Sequence, residues 1–203
     1  MREQELVGRY YTLPPKKRLN YILKNYSVFP AVIKDYEQSL LKWIENEVER
    51  ARQEAHGDLG VRIQGRTGGS QVEDIVCTRD ELERIVKNRS MGGLLKRLED
   101  RDSIGRGLKE LSLMEYEYNR LKIRIGTLQG DDEVFFCGYI TKKMTADELG
   151  EKYRMTVQAV RNRISRIKAA LYEDFECFLG YYNDENILRF NELGEAYDAH
   201  RKN

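Results

Sequence analysis

The stretch TADELGEKYRMTVQAVRNRISRIKAAL, residues 145–171, decides how this chain is read. Thr145 with Glu148 three positions on has the form of a capping box, in which hydroxyl and carboxylate each satisfy a free backbone donor. It predicts a short helix through Leu149 to Tyr153. Arg154-Met155 then separate that helix from Thr156, a good N-cap for another over about 157–171. The second helix places Val160, Ile164, Ile167 and Leu171 on one side, at i, i+4, i+7 and i+11.

A short helix, a tight turn and a longer helix make the pattern of a helix-turn-helix. Such a unit needs a small residue where the helices cross, and Gly150 stands there. It needs apolar residues around the turn, which Leu149, Met155 and Val160 supply. The outer face of its second helix must be polar and basic. Gln158, Arg161, Asn162 and Ser165 are the expected base readers, because arginine can fork onto guanine and amide side chains onto adenine. Lys152, Arg154, Thr156, Arg163, Arg166 and Lys168 are the expected phosphate contacts, with the Thr156 end offering backbone N–H groups. No acidic residue interrupts 152–171. Any helical hairpin with a capped second helix would show part of this pattern, and a basic face is often merely solvated. The cap, the small crossing residue and the acid-free basic run coincide here, which favours duplex DNA as the partner.

The flanking sequence extends the helical reading. Upstream, Asp131-Asp132-Glu133 suit a helix first turn, where the dipole favours acids. The helix they open is expected to bury Val134, Phe135, Phe136, Tyr139 and Ile140. Ser112 with Glu115 is a second capping-box pattern, predicting a helix through Tyr116, Leu121 and Ile125 to Gly126. Ile104, Leu108 and Leu111 suggest another amphipathic turn or two, after a short helix near Leu94–Leu98. Ser70 with Glu73 predicts a further helix using Val72, Ile75, Val76, Leu82 and Val86, up to the break at Met91-Gly92-Gly93. Residues 57–69 hold Gly57, Gly60, Gly65, Gly68 and Gly69 and read as a loop. That loop lacks P-loop spacing, although Arg62 and Arg66 in it are candidates for touching a DNA backbone.

Near the N-terminus, Pro14-Pro15 can open a helix carrying Leu19, Ile22, Leu23 and Tyr26. Pro30 marks the next, whose stripe runs Val32, Ile33, Tyr36, Leu40, Ile44 and Val48 to about His56, with Trp43 alongside. The two read as an antiparallel hairpin. The expected architecture is all-α: residues 1–111 form a helical N-terminal region with the loop at 57–69. Residues 112–171 form the helix-turn-helix domain, and 172–203 an acidic, aromatic tail. Phe175, Phe178, Leu179, Ile187, Leu188, Phe190 and Leu193 suit that tail to packing or dimerisation, with polymerase docking or an acidic shield against nonspecific DNA as alternatives.

Composition fits this picture. The chain has 203 residues, of which 34% are charged and 40% hydrophobic, with only 3 prolines. A net charge of +1 conceals the local basic run and the acidic tail. Cys77, Cys137 and Cys177 are far apart, with no CxxC or His-rich tract, so neither a zinc site nor a disulfide framework is expected. They read as reduced thiols. No signal-like or membrane-length apolar run is visible, and a cytoplasmic location without membrane association is expected. His56 and His200 stand apart from any nucleophile or metal-ligand set. No catalytic residue, metal or cofactor is expected, and an enzyme is the least favoured class.

The segment DDEVFFCGYITKKMTADELGEKYRMTVQAVRNRISRIKAAL resembles region 4 of bacterial sigma-70-type factors, the module that reads the −35 promoter element. ADELGEKYRMTVQAVRNRI is similar to that family's helix-turn-helix frame. The resemblance covers 41 residues, 131–171, and no counterpart of the region 2 helices is seen. With helical sequence before it, the chain looks like the phage-encoded ArpU- and RinA-like regulators of Gram-positive bacteria. This resemblance implies a promoter-binding regulator of late genes, with RNA polymerase as a further partner and homo-oligomerisation through the remaining helices. Where many family members have glycine in the turn, this chain has Arg154, which must tolerate the turn's backbone angles. Two other classes stay open. A small terminase also joins a helix-turn-helix to oligomerisation helices, though usually with the DNA-binding part first. A helical adaptor that binds no DNA is the other.

Overall fold

A computed structural model describes residues 10–56, 79–89 and 98–179. They form seven helices: α1 (Pro15–Lys24), α2 (Phe29–His56), α3 (Arg79–Lys87), α4 (Arg101–Gly126), α5 (Asp132–Ile140), α6 (Ala146–Tyr153) and α7 (Val157–Leu179). No strand occurs among the described residues, so the fold class is all-α. No helix among them is long and apolar enough to cross a membrane. The expected loop at 57–69, the Ser70/Glu73 cap, Arg62, Arg66 and the Met91-Gly92-Gly93 break lie outside the described residues.

Contacts divide the chain into two compact units. Val32–Ser112 makes one, and Met1–Ala31 with Leu113–Asn203 the other. In the first, α2 buries Ile33, Tyr36, Leu40, Ile44 and Val48 along the expected stripe, and Trp43 is half-buried beside it. α3 contributes Leu82 and Val86, and α4 contributes Ile104, Leu108 and Leu111. Tyr36 donates its hydroxyl to Glu110 at 2.9 Å. Gly107 lets the α4 backbone approach α2, since a Cβ there would stand 2.8 Å from Leu40 Cδ1.

α4 differs from expectation. It runs unbroken through Ser112, which is buried inside it. The Ser112/Glu115 pattern opens no helix, because no proline interrupts 101–126 and Leu108, Leu111, Met114, Leu121 and Ile125 sustain one apolar face. A serine-to-glutamate spacing alone does not make a terminus.

In the second unit, Pro15 occupies the first turn of α1, as its fixed backbone angle allows. α1 packs against α7. Its buried Leu19, Ile22 and Leu23 supply the apolar side. An aromatic cluster adjoins it. Phe29 lies 6.2 Å from Tyr10, 5.9 Å edge-on from Tyr21 and 5.6 Å from Tyr118, between ring centroids.

Beneath these rings sits a buried polar triad. Arg18 donates from Nε to Glu117 Oε1 at 2.8 Å, and Tyr10 donates its hydroxyl to the same carboxylate. Arg18 also donates to the Leu13 carbonyl at 2.6 Å. Burial pushes the Glu117 carboxyl up to about 7, against the opposing pull of Arg18 and of the hydrogen bonds it accepts.

α5 starts at Asp132, where the acidic run predicted it, and buries Phe135, Phe136 and Ile140. Two residues depart from expectation: Val134 is 59% exposed and Tyr139 only half-buried. The nine-residue helix has a single buried side, and Val134 lies off it. α7 is longer than predicted, continuing to Leu179 and burying Phe175 in line with Leu171. The first residues of the acidic tail are thus its last turns, while 180–203 lie outside the described residues. Cys137 is a free thiol.

Candidate nucleic-acid interface

The site is built on α6, the turn and α7. Thr145 caps α6 through the full reciprocal box: its Oγ1 accepts from the Glu148 N–H at 3.3 Å, and Glu148 Oε2 accepts from the Thr145 N–H at 2.7 Å. Those bonds hold the exposed Glu148 carboxyl below its usual value. The helix ends at Arg154, which adopts the left-handed conformation (φ 53°, ψ 45°). This is the accommodation the sequence required of a non-glycine residue here. The Met155 N–H then donates to the Gly150 carbonyl at 2.8 Å, closing the turn.

Gly150 is needed for a reason beyond helix crossing. A Cβ at this position would lie 2.8 Å from the Met155 carbonyl oxygen, a backbone atom with nowhere to retreat. We expect Gly150→Ala to destabilise the protein by about 1–3 kcal/mol, the usual cost of overpacking. A urea titration would read this as a lower midpoint at unchanged slope. An unchanged midpoint would mean that the turn closes differently.

Thr156 caps α7, its Oγ1 accepting from the Ala159 N–H at 3.2 Å. Val160, Ile164, Ile167 and Leu171 are buried as predicted. The opposite face is therefore fixed toward solvent, and Gln158, Arg161, Asn162 and Ser165 are all exposed on it. Gln158 Nε2 donates to Asn162 Oδ1 at 3.1 Å. That bond leaves Asn162 its amide protons and a second lone pair, so donor and acceptor remain available together.

Comparison with protein families, curated proteins and solved structures finds no match. Among the expected phosphate contacts, Lys152, Arg154, Thr156 and Arg166 are exposed, and Lys168 is half-exposed at the border of the face. Arg163 is placed otherwise. Its Nε lies 2.5 Å from Asp132 Oδ1 and its guanidinium carbon 4.4 Å above the Phe135 ring, with the Tyr153 ring 5.6 Å away. Only 19% of that side chain is exposed. Its angular position on α7, between the buried stripe and Arg166, turns it inward. Arg163 ties α7 to α5 and α6.

Asp132, expected only as a first-turn acid, has a second part in the structure. It faces Arg163 directly and Arg166 at 4.0 Å. Its place in an acidic first turn marked a helix start, and nothing local marked a partner 31 positions away.

Proposed function

We propose that this chain is a sequence-specific DNA-binding regulator of transcription, reading a promoter through α7 as the second helix of a helix-turn-helix. The observation that carries the reading is the α7 face of Gln158, Arg161, Asn162 and Ser165. It is exposed, polar and basic, on a helix whose other side is held by buried Val160, Ile164 and Ile167. An α-helix of this kind fits the major groove, where such side chains distinguish base pairs. Lys152, Arg154, Arg166 and Lys168 flank the face at positions suited to the two backbones, and Thr156 presents the α7 N-terminus. The region 4 resemblance of residues 131–171 supports a promoter as target, RNA polymerase as a further partner, and a phage late-gene setting.

Selection from a random duplex library tests the reading. Enrichment of a defined motif is the expected result, and failure to enrich any sequence would overturn it. On the selected site, Arg161→Ala is expected to weaken binding by about 1–3 kcal/mol and to relax preference at one base pair. An equal loss on every sequence would assign Arg161 to the backbone. Affinity should also fall steeply with salt, by about 0.9 in log–log slope for each phosphate contacted.

A further inference from the structure

α1 brings a second set of cations to the border of the α7 face. Lys16, Asn20 and Lys24 are exposed and recur at i, i+4 and i+8, so they form one stripe along the helix. The Lys16 ammonium sits 5.3 Å from the Tyr172 ring centroid. At the other end of α1, Asn20 and Lys24 share a cleft of about 480 Å³ with Lys168, four residues earlier on α7. α1 therefore runs back along α7 with its polar stripe beside the exposed face.

The cleft itself has a cationic rim and an apolar floor. Lys24, Lys142 and Lys168 stand around it, and Leu23, Ile140 and Met144 line it. No acidic residue lines it, and no ion pair holds any of the three ammonium groups among the described residues. The Lys168 ammonium lies 5.3 Å from the Tyr139 ring centroid. Lys142 follows α5 in the left-handed conformation, φ 57°. Three lysines thus border one cleft with no acidic residue in its lining, an arrangement that an anion relieves.

We propose that this cleft takes the sugar–phosphate backbone of duplex DNA flanking the sequence read by α7. The inference rests on the DNA-binding reading above. Two features favour a DNA backbone over an acidic peptide. Lys168 belongs both to the border of the α7 face and to the cleft, so an occupant of one continues into the other. A DNA strand also alternates anionic phosphates with apolar deoxyribose C–H surface, matching a cationic rim over Leu23, Ile140 and Met144. Most protein–DNA contacts are of this positioning kind. α1 and the turn after α5 would then lengthen the footprint without reading bases.

The test uses the full chain and two duplexes carrying the same selected core, one ending at the core and one extended by about one helical turn (~10 base pairs) on each side. The variant is Lys24→Gln with Lys142→Asn, since asparagine tolerates the left-handed backbone at 142. Wild type is expected to show a steeper salt dependence on the extended duplex, by roughly 2 in log–log slope for two further phosphates. The double variant is expected to lose that increment, with about tenfold weaker binding to the extended duplex at low salt and unchanged binding to the core. A double variant that keeps the wild-type slope and affinity on the extended duplex would overturn the proposal. So would wild-type slopes equal on both duplexes alongside lysine-dependent binding of a Glu-rich peptide, which would give the cleft to a protein partner. If wild type binds neither duplex, the DNA-binding reading falls first and this one with it.

Discussion

Replacing Arg18 with methionine should cost the protein about 3–5 kcal/mol at pH 8, the usual price of leaving one member of a buried ion pair alone. Methionine fills much of the same volume, so the loss is electrostatic rather than a cavity. Arg18 and Glu117 are 7% and 1% exposed, and Tyr10 is the other donor to that carboxylate. The pH dependence follows from the sign of the shift. Glu117 titrates near 7 in the folded chain against an ordinary 4.5, so its proton is held more tightly folded than unfolded. Its contribution to stability is fully present below about 4.5 and is lost as pH rises through about 7. At pH 5 the carboxyl is already largely neutral and has less need of the guanidinium. The penalty for Arg18→Met should therefore shrink from pH 8 to pH 5. Urea titrations at the two pH values check this, and a penalty equal at both would mean that Glu117 is ionised throughout.

Phe135→Ala should be as damaging, at about 3–5 kcal/mol. Phe135 is fully buried, meets the Tyr153 ring edge-on at 5.2 Å and carries the Arg163 guanidinium on its face. Truncation removes the ring's transfer energy and the cation–π contact together, and leaves a cavity where α5, α6 and α7 meet. The effect should reach binding as well as stability. Without the ring, Arg163 loses its seat and α7 loses one of its ties to α5. At a temperature where the variant is still folded, its affinity for a selected duplex should fall more than that of a Val134→Ala control. Val134 belongs to the same helix but is 59% exposed. Equal affinities for the two variants would show that the α5 contact does not orient α7.

Legibility followed the range of the interactions. The segment 145–171 could be read in detail because its determinants are local. The Thr145/Glu148 cap, the Thr156 cap, the crossing glycine and the spacing of Val160, Ile164, Ile167 and Leu171 each lie within one or two helical turns. The same local logic failed at Ser112, where an identical cap pattern lies inside a helix sustained by burial on both sides of it. Outward residues on α7 followed from helical angle alone, except at the boundary. Arg163 sits there, and its distant partner Asp132 adds to its angular position in turning it inward. The packing of α1 on α7 was invisible for the same reason, since α1 carries an apolar stripe that would suit any helix. The Tyr10–Arg18–Glu117 triad joins residues about a hundred positions apart, and no periodicity announces it.

The unbroken length of α7 has one more consequence. Neither glycine nor proline occurs between Val157 and Leu179, so the helix has no hinge of its own. Its far end is pinned: Asp174 pairs with Arg124, Lys16 lies over Tyr172, and Phe175 is buried. The exposed turns near Arg161 thus belong to a rod clamped both beneath them, through Val160, Arg163 and Ile164, and at its far end. A rod held in this way does not adjust its pitch to what it meets. On the proposed reading it would act as a template, and the duplex would supply the accommodation by bending or by changing groove width. Discrimination would then extend to base pairs that no side chain touches, through the stiffness of the DNA itself.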